Sequence, residues 1–176
     1  MNKTKIITNW FFIGVLLISL FLFFATNFAQ AQAPMEFKIF NNVAKVESMP
    51  FPDEKGHAVG VVSREGLAVL ENGEVGKQSA VLAFDVKGNV ITYDAVTTIV
   101  FPDTSSFVFK TKGTGEIKLE EKAVTTKQTG DFLRGTGKYE GIKGSLTIMG
   151  KQYGPAEAGK GYWIGNVTAT YTLPSK

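Results

Sequence analysis

The chain has no cysteine and a single histidine among its 176 residues, and these scarcities exclude several kinds of chemistry. Without cysteine there is no disulfide, thiol nucleophile, thiolate metal ligand or lipid-modified cysteine. One histidine, His57, excludes a metal site built from several histidines. We expect His57 to be a structural residue in a loop or at a strand edge, with a general-base role as the less favoured alternative. We therefore predict no metal and no cofactor.

The chain also lacks a strong excess of charge of one sign, with 19 Lys and Arg against 16 Asp and Glu. Lys3 and Lys5 belong to the leader described next, so the remainder is close to neutral. No clustered basic stripe follows, which argues against nucleic acid as a partner.

The N-terminus has the three parts of an export signal. Lys3 and Lys5 form a basic start, residues 10–25 are an uninterrupted apolar run, and Ala29-Gln30-Ala31 has the small-x-small pattern of a cleavage site. We predict a signal peptide over residues 1–31 and a mature protein that is periplasmic or secreted, with no membrane contact after cleavage. The alternative is an uncleaved membrane anchor over residues 6–25.

The rest of the chain lacks a helical stripe and alternates with a period of two residues, broken by Gly, Asn, Asp and Pro about every ten residues. This pattern predicts hairpin turns at residues 72–73 and 87–89, and a longer loop at a barrel mouth over residues 154–161. It predicts eight or nine strands, over residues 36–46, 58–64, 67–71, 79–86, 90–101, 106–112, 115–125, 143–150 and 162–173.

Few polar side chains stand out in these strands. Residues 90–101 are apolar on both faces, which predicts burial on both sides, with the outer face covered by the N-terminal segment or by another subunit. Asp94 in this strand needs a partner, and pairing with a Lys or Thr is favoured over a ligand contact. Arg64 and Arg134 are the only arginines. An arginine at the mouth could bind a carboxylate bidentately, but surface ion pairs are the favoured interpretation for both.

The most distinctive motif is a Gly-rich corner, GDFLRGTGKYEGIKGSLTI, over residues 130–148. Its glycines at 135, 137, 141 and 144 suit tight turns or close backbone approach. The corner resembles the GGTGxF or GSGxFEG corner shared by dirigent proteins and allene oxide cyclases. Segments 66–74, 93–103, 107–115 and 170–174 resemble small exported bacterial proteins related to the allene oxide cyclase barrel.

This resemblance spans residues 57–174 and implies a single all-β domain, a calycin-like, eight-stranded antiparallel β-barrel that is commonly trimeric. Residues 32–56 are then expected to be an N-terminal strand and loop that cover the barrel. In those plant families the barrel cyclises an unstable fatty-acid epoxide or orients radicals, by confining a reactive substrate. The chain departs from them in two ways. It lacks the pocket cysteine of allene oxide cyclases, and only Tyr139 and Glu140 map onto the corner, with no counterparts by motif for the acidic and arginine residues of dirigent proteins.

The sequence therefore predicts an exported barrel that binds a small hydrophobic molecule. The resemblance implies an isomerase or cyclase, and the residues leave open whether there is a reaction. One alternative is a non-catalytic envelope or interaction protein with a filled barrel, and another is a lipocalin-like carrier. Asp94 would anchor a polar group of the ligand and the aromatic residues would form an apolar wall. The residues predicted to line or gate the cavity are Tyr93, Asp94, Tyr139, Glu140 and Trp163.

Overall fold

The computed structural model describes residues 34–174, which form a closed barrel of eight antiparallel strands. Each strand pairs with the next, and the first pairs with the last from Met35 opposite Ala169 to Asn42 opposite Tyr162. Closure leaves the sheet without a free edge. The predicted fold class is confirmed. The strands are β1 Met35–Pro50, β2 Ala58–Leu70, β3 Val75–Lys87, β4 Val90–Val100, β5 Ser106–Lys118, β6 Ala123–Thr136, β7 Lys143–Tyr153 and β8 Tyr162–Thr172.

The first strand changes the predicted domain boundary. β1 pairs with both β2 and β8, so it is part of the barrel wall and does not cover it. The barrel therefore begins at Met35 and not at residue 57. The predicted signal peptide and the alternative anchor lie outside the described residues. Within residues 34–174, no helix is long and apolar enough to span a membrane.

Two predicted strand breaks are wrong because their glycines serve packing and not turns. β2 runs unbroken through Gly66, where an added Cβ would lie 1.9 Å from the carbonyl oxygen of Phe40. β5 runs unbroken through Gly113, where an added Cβ would lie 2.7 Å from Cζ of Tyr93. The turn falls instead at residues 119–122, inside the strand predicted for 115–125.

The barrel has two ends that differ in how they are packed. The open end carries the connections at residues 51–57, 88–89, 119–122 and 154–161, and the filled end carries those at residues 71–74, 101–105 and 137–142. Because β1 starts and β8 finishes at the filled end, both ends of the described barrel lie there. The predicted hairpin turns at residues 72–73 and 87–89 are confirmed.

Aromatic side chains pack the filled end. Phe107 is fully buried at their centre, with ring centroids 4.9 Å from Tyr139, 5.5 Å from Phe132 and 5.7 Å from Phe101. Edge-to-face contacts of this kind add to the free energy gained by burying the rings. This half of the barrel is a solid core.

The Gly-rich corner closes the filled end between β6 and β7. It contains a single 3-10 turn at Gly137–Tyr139, whose buried Tyr139 anchors the corner in the aromatic core. Gly144 has a φ of 135°, and an added Cβ would lie 2.1 Å from the carbonyl oxygen of Thr170. The prediction that this corner needs glycine is confirmed. β6 continues further than expected, to Thr136.

The outer face of β4 is exposed, contrary to the expectation of burial on both sides. Val90, Val96 and Val100 retain 51%, 43% and 44% of their accessible surface. Asp94 lies on the same outer face, with Lys110 and Lys112 each 3.9 Å away. The Lys pairing favoured for Asp94 is present, but it occurs in solvent and not in a buried strand.

Candidate functional site

A cavity of about 150 Å³ occupies the half of the barrel next to the open end. Inward-facing residues of β3 and β4 form its apolar wall, among them Ala80, Leu82, Phe84, Ile91 and Ala95. Ala80 and Ala95, near the middle of the barrel, are buried, whereas Leu82, Phe84 and Ile91, nearer the open end, are partly exposed. The cavity is therefore entered from the open end. Ala156, in the predicted mouth loop 154–161, also lines it.

Trp163 on β8 lies flat against the cavity wall because two glycines make room for its ring. Added Cβ atoms would lie 2.3 Å from Cζ2 of Trp163 at Gly150 and 2.0 Å from Cη2 at Gly165. These glycines are opposite each other on β7 and β8. The indole Nε1 donates to the hydroxyl of Thr126 at 3.0 Å, which holds the ring in place. Because the indole lies against the backbone, it does not fill the cavity.

Tyr93 on β4 also contributes its ring to the cavity wall. Its hydroxyl packs against Gly113, is inaccessible to solvent and makes no hydrogen bond of good geometry with residues 34–174. The polar side chains of Thr126 and Gln128 lie near this hydroxyl. Burial raises the pKa of Tyr93 to about 12. Tyr93 is therefore a neutral wall residue at physiological pH.

Arg64 on β2 brings a positive charge to the cavity wall. Its Nη1 donates to Oε1 of Gln152 at 2.7 Å and to Oδ1 of Asn41 at 3.3 Å. Burial lowers the pKa of Arg64 to about 10, which still leaves it charged at neutral pH. No carboxylate within residues 34–174 forms an ion pair with it. The surface ion pair favoured for Arg64 is thus wrong. Arg134 is exposed, but it too forms no ion pair within residues 34–174.

Other buried polar side chains separate the cavity from the aromatic core. The hydroxyl of Thr111 donates to Oε1 of Gln128 at 2.9 Å. Gln78 is 1% exposed, and its Oε1 has no hydrogen-bond partner among the described residues. The cavity therefore has a polar floor beneath an apolar wall, the usual composition of a small-molecule site.

The structure brings together two of the five predicted site residues, Tyr93 and Trp163. Tyr139 is buried in the aromatic core of the filled end, and Glu140 is exposed on the corner beside it. Asp94 is outside the barrel. These three residues do not line the cavity, so they are not placed to contact a ligand there.

The sequence analysis missed Asn41, Gln78 and Gln152, and it placed Arg64 on the surface. A signal for Arg64 was present, because it shares the period-two face of β2 with Val62 and Ala68, which are buried. A charged residue that shares a strand face with buried apolar residues is expected to point into the barrel. The amides gave a weaker signal, since each lies on an inward face but carries no charge.

His57 forms a separate cluster at the open end. It is 5% exposed, and its Nδ1 hydrogen-bonds the carboxylate of Asp53. Its Nε2 lies 3.0 Å from Oδ1 of Asp85 but is not aligned for a hydrogen bond. The ring packs on Phe51, with centroids 4.9 Å apart. His57 therefore holds loop 51–57 against β3, in agreement with the structural role predicted for it.

The site has limited means for acid, base or metal chemistry. Of the described residues that line the cavity, Arg64 is the only charged one, and no carboxylate or imidazole is among them. Within residues 34–174, no group of three or more His, Asp and Glu is placed to hold a metal ion. The arrangement can enclose an apolar molecule and present one cation to it.

Two solved structures of pterocarpan synthase dirigent proteins are similar to this chain. The first has 11% sequence identity and a TM-score of 0.48, and the match covers 84% of this chain and 90% of the other. The second has 13% identity and a TM-score of 0.49, and the match covers 82% and 99%. No family model and no curated protein matches the sequence.

Proposed function

We propose that this protein binds a small, largely hydrophobic molecule in the cavity at the open end of its barrel. The observation that carries the proposal is the unequal packing of the interior. One end is a solid aromatic core, whereas about 150 Å³ remains free at the other end, within an apolar wall. An engineered cavity of about this volume in another protein admits benzene, so the space suits a molecule with one ring.

The positions of the small residues support the proposal. Ala80 and Ala95 face inward where a larger side chain would fill the space, and Gly150 and Gly165 keep the indole of Trp163 against the wall. Protein interiors are normally packed with few voids, and each void costs stability. A ligand that fills the cavity restores the missing contacts.

The first test is native mass spectrometry of the mature protein purified gently from its own host. We expect an added mass that disappears on denaturation and identifies the ligand. The same spectrum tests the proposal that the protein is exported, because cleavage of the predicted signal peptide would leave Gln32 as the first residue.

A matched pair of variants tests the location of the site, with benzyl alcohol as the probe. Ala80→Leu on the inner face of β3 should fill part of the cavity and weaken binding at least tenfold. Ala83→Leu on the outer face of the same strand should bind as the wild type does. Equal binding by both variants, or no binding by the wild type, would contradict the proposal.

A second candidate function is an isomerase or cyclase that acts by confinement, as the resemblance to allene oxide cyclases and dirigent proteins implies. The observation that favours it is the placement of Trp163 flat against the cavity wall, which would restrict a bound ring to few orientations. Analysis of the copurified ligand after incubation tests it. Conversion of the ligand by the wild type but not by Ala80→Leu would support catalysis. An unchanged ligand would indicate that the protein is a carrier and not an enzyme.

The homotrimer implied by the resemblance is a further proposal. Exposed valines on the outer faces of β2, β3 and β4, at Val61, Val81 and Val96, offer an apolar surface to another copy. Sedimentation equilibrium measures the assembly directly, and a monomer at high concentration would contradict it.

A further inference from the structure

Arg64 carries a largely covered charge that has no carboxylate partner among residues 34–174. It projects from β2 into the barrel, beside the buried Val62, and most of its surface is covered. Ion pairs elsewhere in the described barrel join residues at its surface or at its open end, and none includes Arg64. A buried charge without an opposite partner is costly, and natural proteins seldom retain one without a role.

The hydrogen bonds to Arg64 use only one of its nitrogens. Nη1 donates both its hydrogens, to the side-chain oxygens of Gln152 and Asn41. A guanidinium has five N–H donors, so the Nε and Nη2 edge is left free of bonds to the described residues. That edge presents two parallel N–H groups, the arrangement that pairs with a carboxylate through two hydrogen bonds.

Gln152 and Asn41 also fix the direction in which this edge points. Gln152 is 4% exposed, and its Nε2 donates to the backbone oxygen of Tyr153 at 3.2 Å, so its Oε1 is turned toward Arg64. Asn41 is 6% exposed, and its Oδ1 accepts the second hydrogen bond from Nη1 of Arg64. The guanidinium is therefore held before any ligand arrives, which lowers the entropy that binding must lose.

The surroundings of Arg64 favour an anion over any other polar group. None of the described residues that line the cavity is acidic, so the cavity has a net positive charge. The apolar wall excludes water and strengthens the attraction between Arg64 and an anion. The volume, about 150 Å³, leaves room for one ring or a short chain beside the charged group.

We propose that Arg64 is a carboxylate-binding residue and that the cavity takes small apolar monocarboxylates, such as one aromatic ring bearing one acid group. This inference rests on the proposed function and specifies the chemical class of its ligand. The carboxylate lies against the Nε and Nη2 edge of Arg64, and the ring packs between Trp163 and the wall of β3 and β4. A second carboxylate on the ligand would lie in the apolar part without a partner, so dicarboxylates bind weakly.

The experiment compares benzoate with benzyl alcohol, which has the same ring but no charge, by isothermal titration calorimetry. The wild type should bind benzoate at least tenfold more tightly. Arg64→Gln should lower benzoate affinity at least tenfold and leave benzyl alcohol affinity within twofold. Arg64→Lys keeps the charge but loses the paired donors, so its benzoate affinity should lie between those of the wild type and Arg64→Gln. Arg134→Gln, which changes the other arginine on the exposed face, is the matched control.

The outcomes separate this inference from the proposed function. If the wild type binds both probes equally, or if Arg64→Gln still prefers benzoate, the carboxylate site is wrong and the apolar cavity stands. If neither probe binds, both proposals fail. Thermal melting of each variant checks folding. If Arg64→Gln does not fold, the wild-type preference for benzoate and its reduction in Arg64→Lys decide the question.

Discussion

The hydroxyl of Tyr93 gives the sharpest test of how this interior is built. It is inaccessible to solvent and makes no hydrogen bond of good geometry with the described part of the chain, although Thr126 and Gln128 lie near it. A buried polar group left unpaired costs about 1–3 kcal/mol. Tyr93→Phe removes the hydroxyl and keeps the ring against Gly113. We therefore expect the variant to be more stable than the wild type by about 1 kcal/mol or more at pH 8.

The same residue predicts how this difference changes with pH. Burial raises the folded-state pKa of Tyr93 to about 12 from a usual value of 10.0. Because the folded pKa lies above the unfolded one, the wild type keeps its stability below pH 10 and loses part of it as the pH rises towards 12. At pH 11 the wild type should lose about 1.4 kcal/mol that Tyr93→Phe does not lose.

Urea unfolding at pH 8 and pH 11, followed by circular dichroism, measures both quantities. Tyr162→Phe is the control, since Tyr162 is 49% exposed and should change neither value much. A Tyr93→Phe variant that is less stable at pH 8 would show that the hydroxyl has a partner. A stability difference that does not grow between pH 8 and pH 11 would refute the raised pKa.

Three further predictions concern the wall, the corner and the loop at the open end. Gly165→Ala should push the indole of Trp163 into the cavity, costing roughly 1–3 kcal/mol and red-shifting the tryptophan fluorescence. Gly144→Ala should destabilise the fold by roughly 3 kcal/mol in urea unfolding, because its φ of 135° and the nearby Thr170 oxygen both exclude a side chain. Asp53→Asn should loosen the loop at residues 51–57. The hydrogen bond from His57 lowers the pKa of Asp53 below 3.8, so the stabilisation is present above about pH 4 and is lost as the pH falls.

Each of these changes has its own control and readout. Asn166→Ala, on the exposed face of β8, should leave the fluorescence unchanged, and an unshifted spectrum in Gly165→Ala would contradict the placement of the ring. Ser145→Ala tests the corner, because it is exposed and next to Gly144. Amide hydrogen exchange of residues 51–57 at pH 6 and pH 3 follows the loop. Equal exchange in Asp53→Asn and wild type at pH 6 would refute the role of the carboxylate.

The sequence predicted the barrel well because period-two alternation and turn residues are local signals. Asn72-Gly73 and the Gly-rich corner marked real turns, since positive φ angles require particular residues there. Gly66 and Gly113 misled the strand assignment because their cause is distant along the chain. Gly66 accommodates the backbone of β1, and Gly113 accommodates the ring of Tyr93. A single sequence shows that a glycine is present but not which of these needs it meets.

The candidate site was less predictable for a related reason. Tyr93 and Trp163 were predicted as aromatic residues that line the cavity, but so was Tyr139, which fills the core instead. Which end of a barrel is solid depends on how much volume the inward side chains occupy at each height along the barrel axis. The alternation shows which side chains point inward, but it does not show their height along that axis. Asp94 was misplaced because the valines around it suggested burial, although they lie on an exposed outer face.

The first and last strands of the described barrel meet at the filled end, beside the corner at residues 137–142, while the cavity opens at the other end. A tag, a surface linkage or a fused domain joined beyond either strand would therefore be attached on the side opposite the mouth. The protein could be immobilised through a linker at either end of the described barrel and still admit its ligand. The barrel would then separate the mouth of the cavity from the surface. The geometry suits a sensor in which binding is read from an oriented layer.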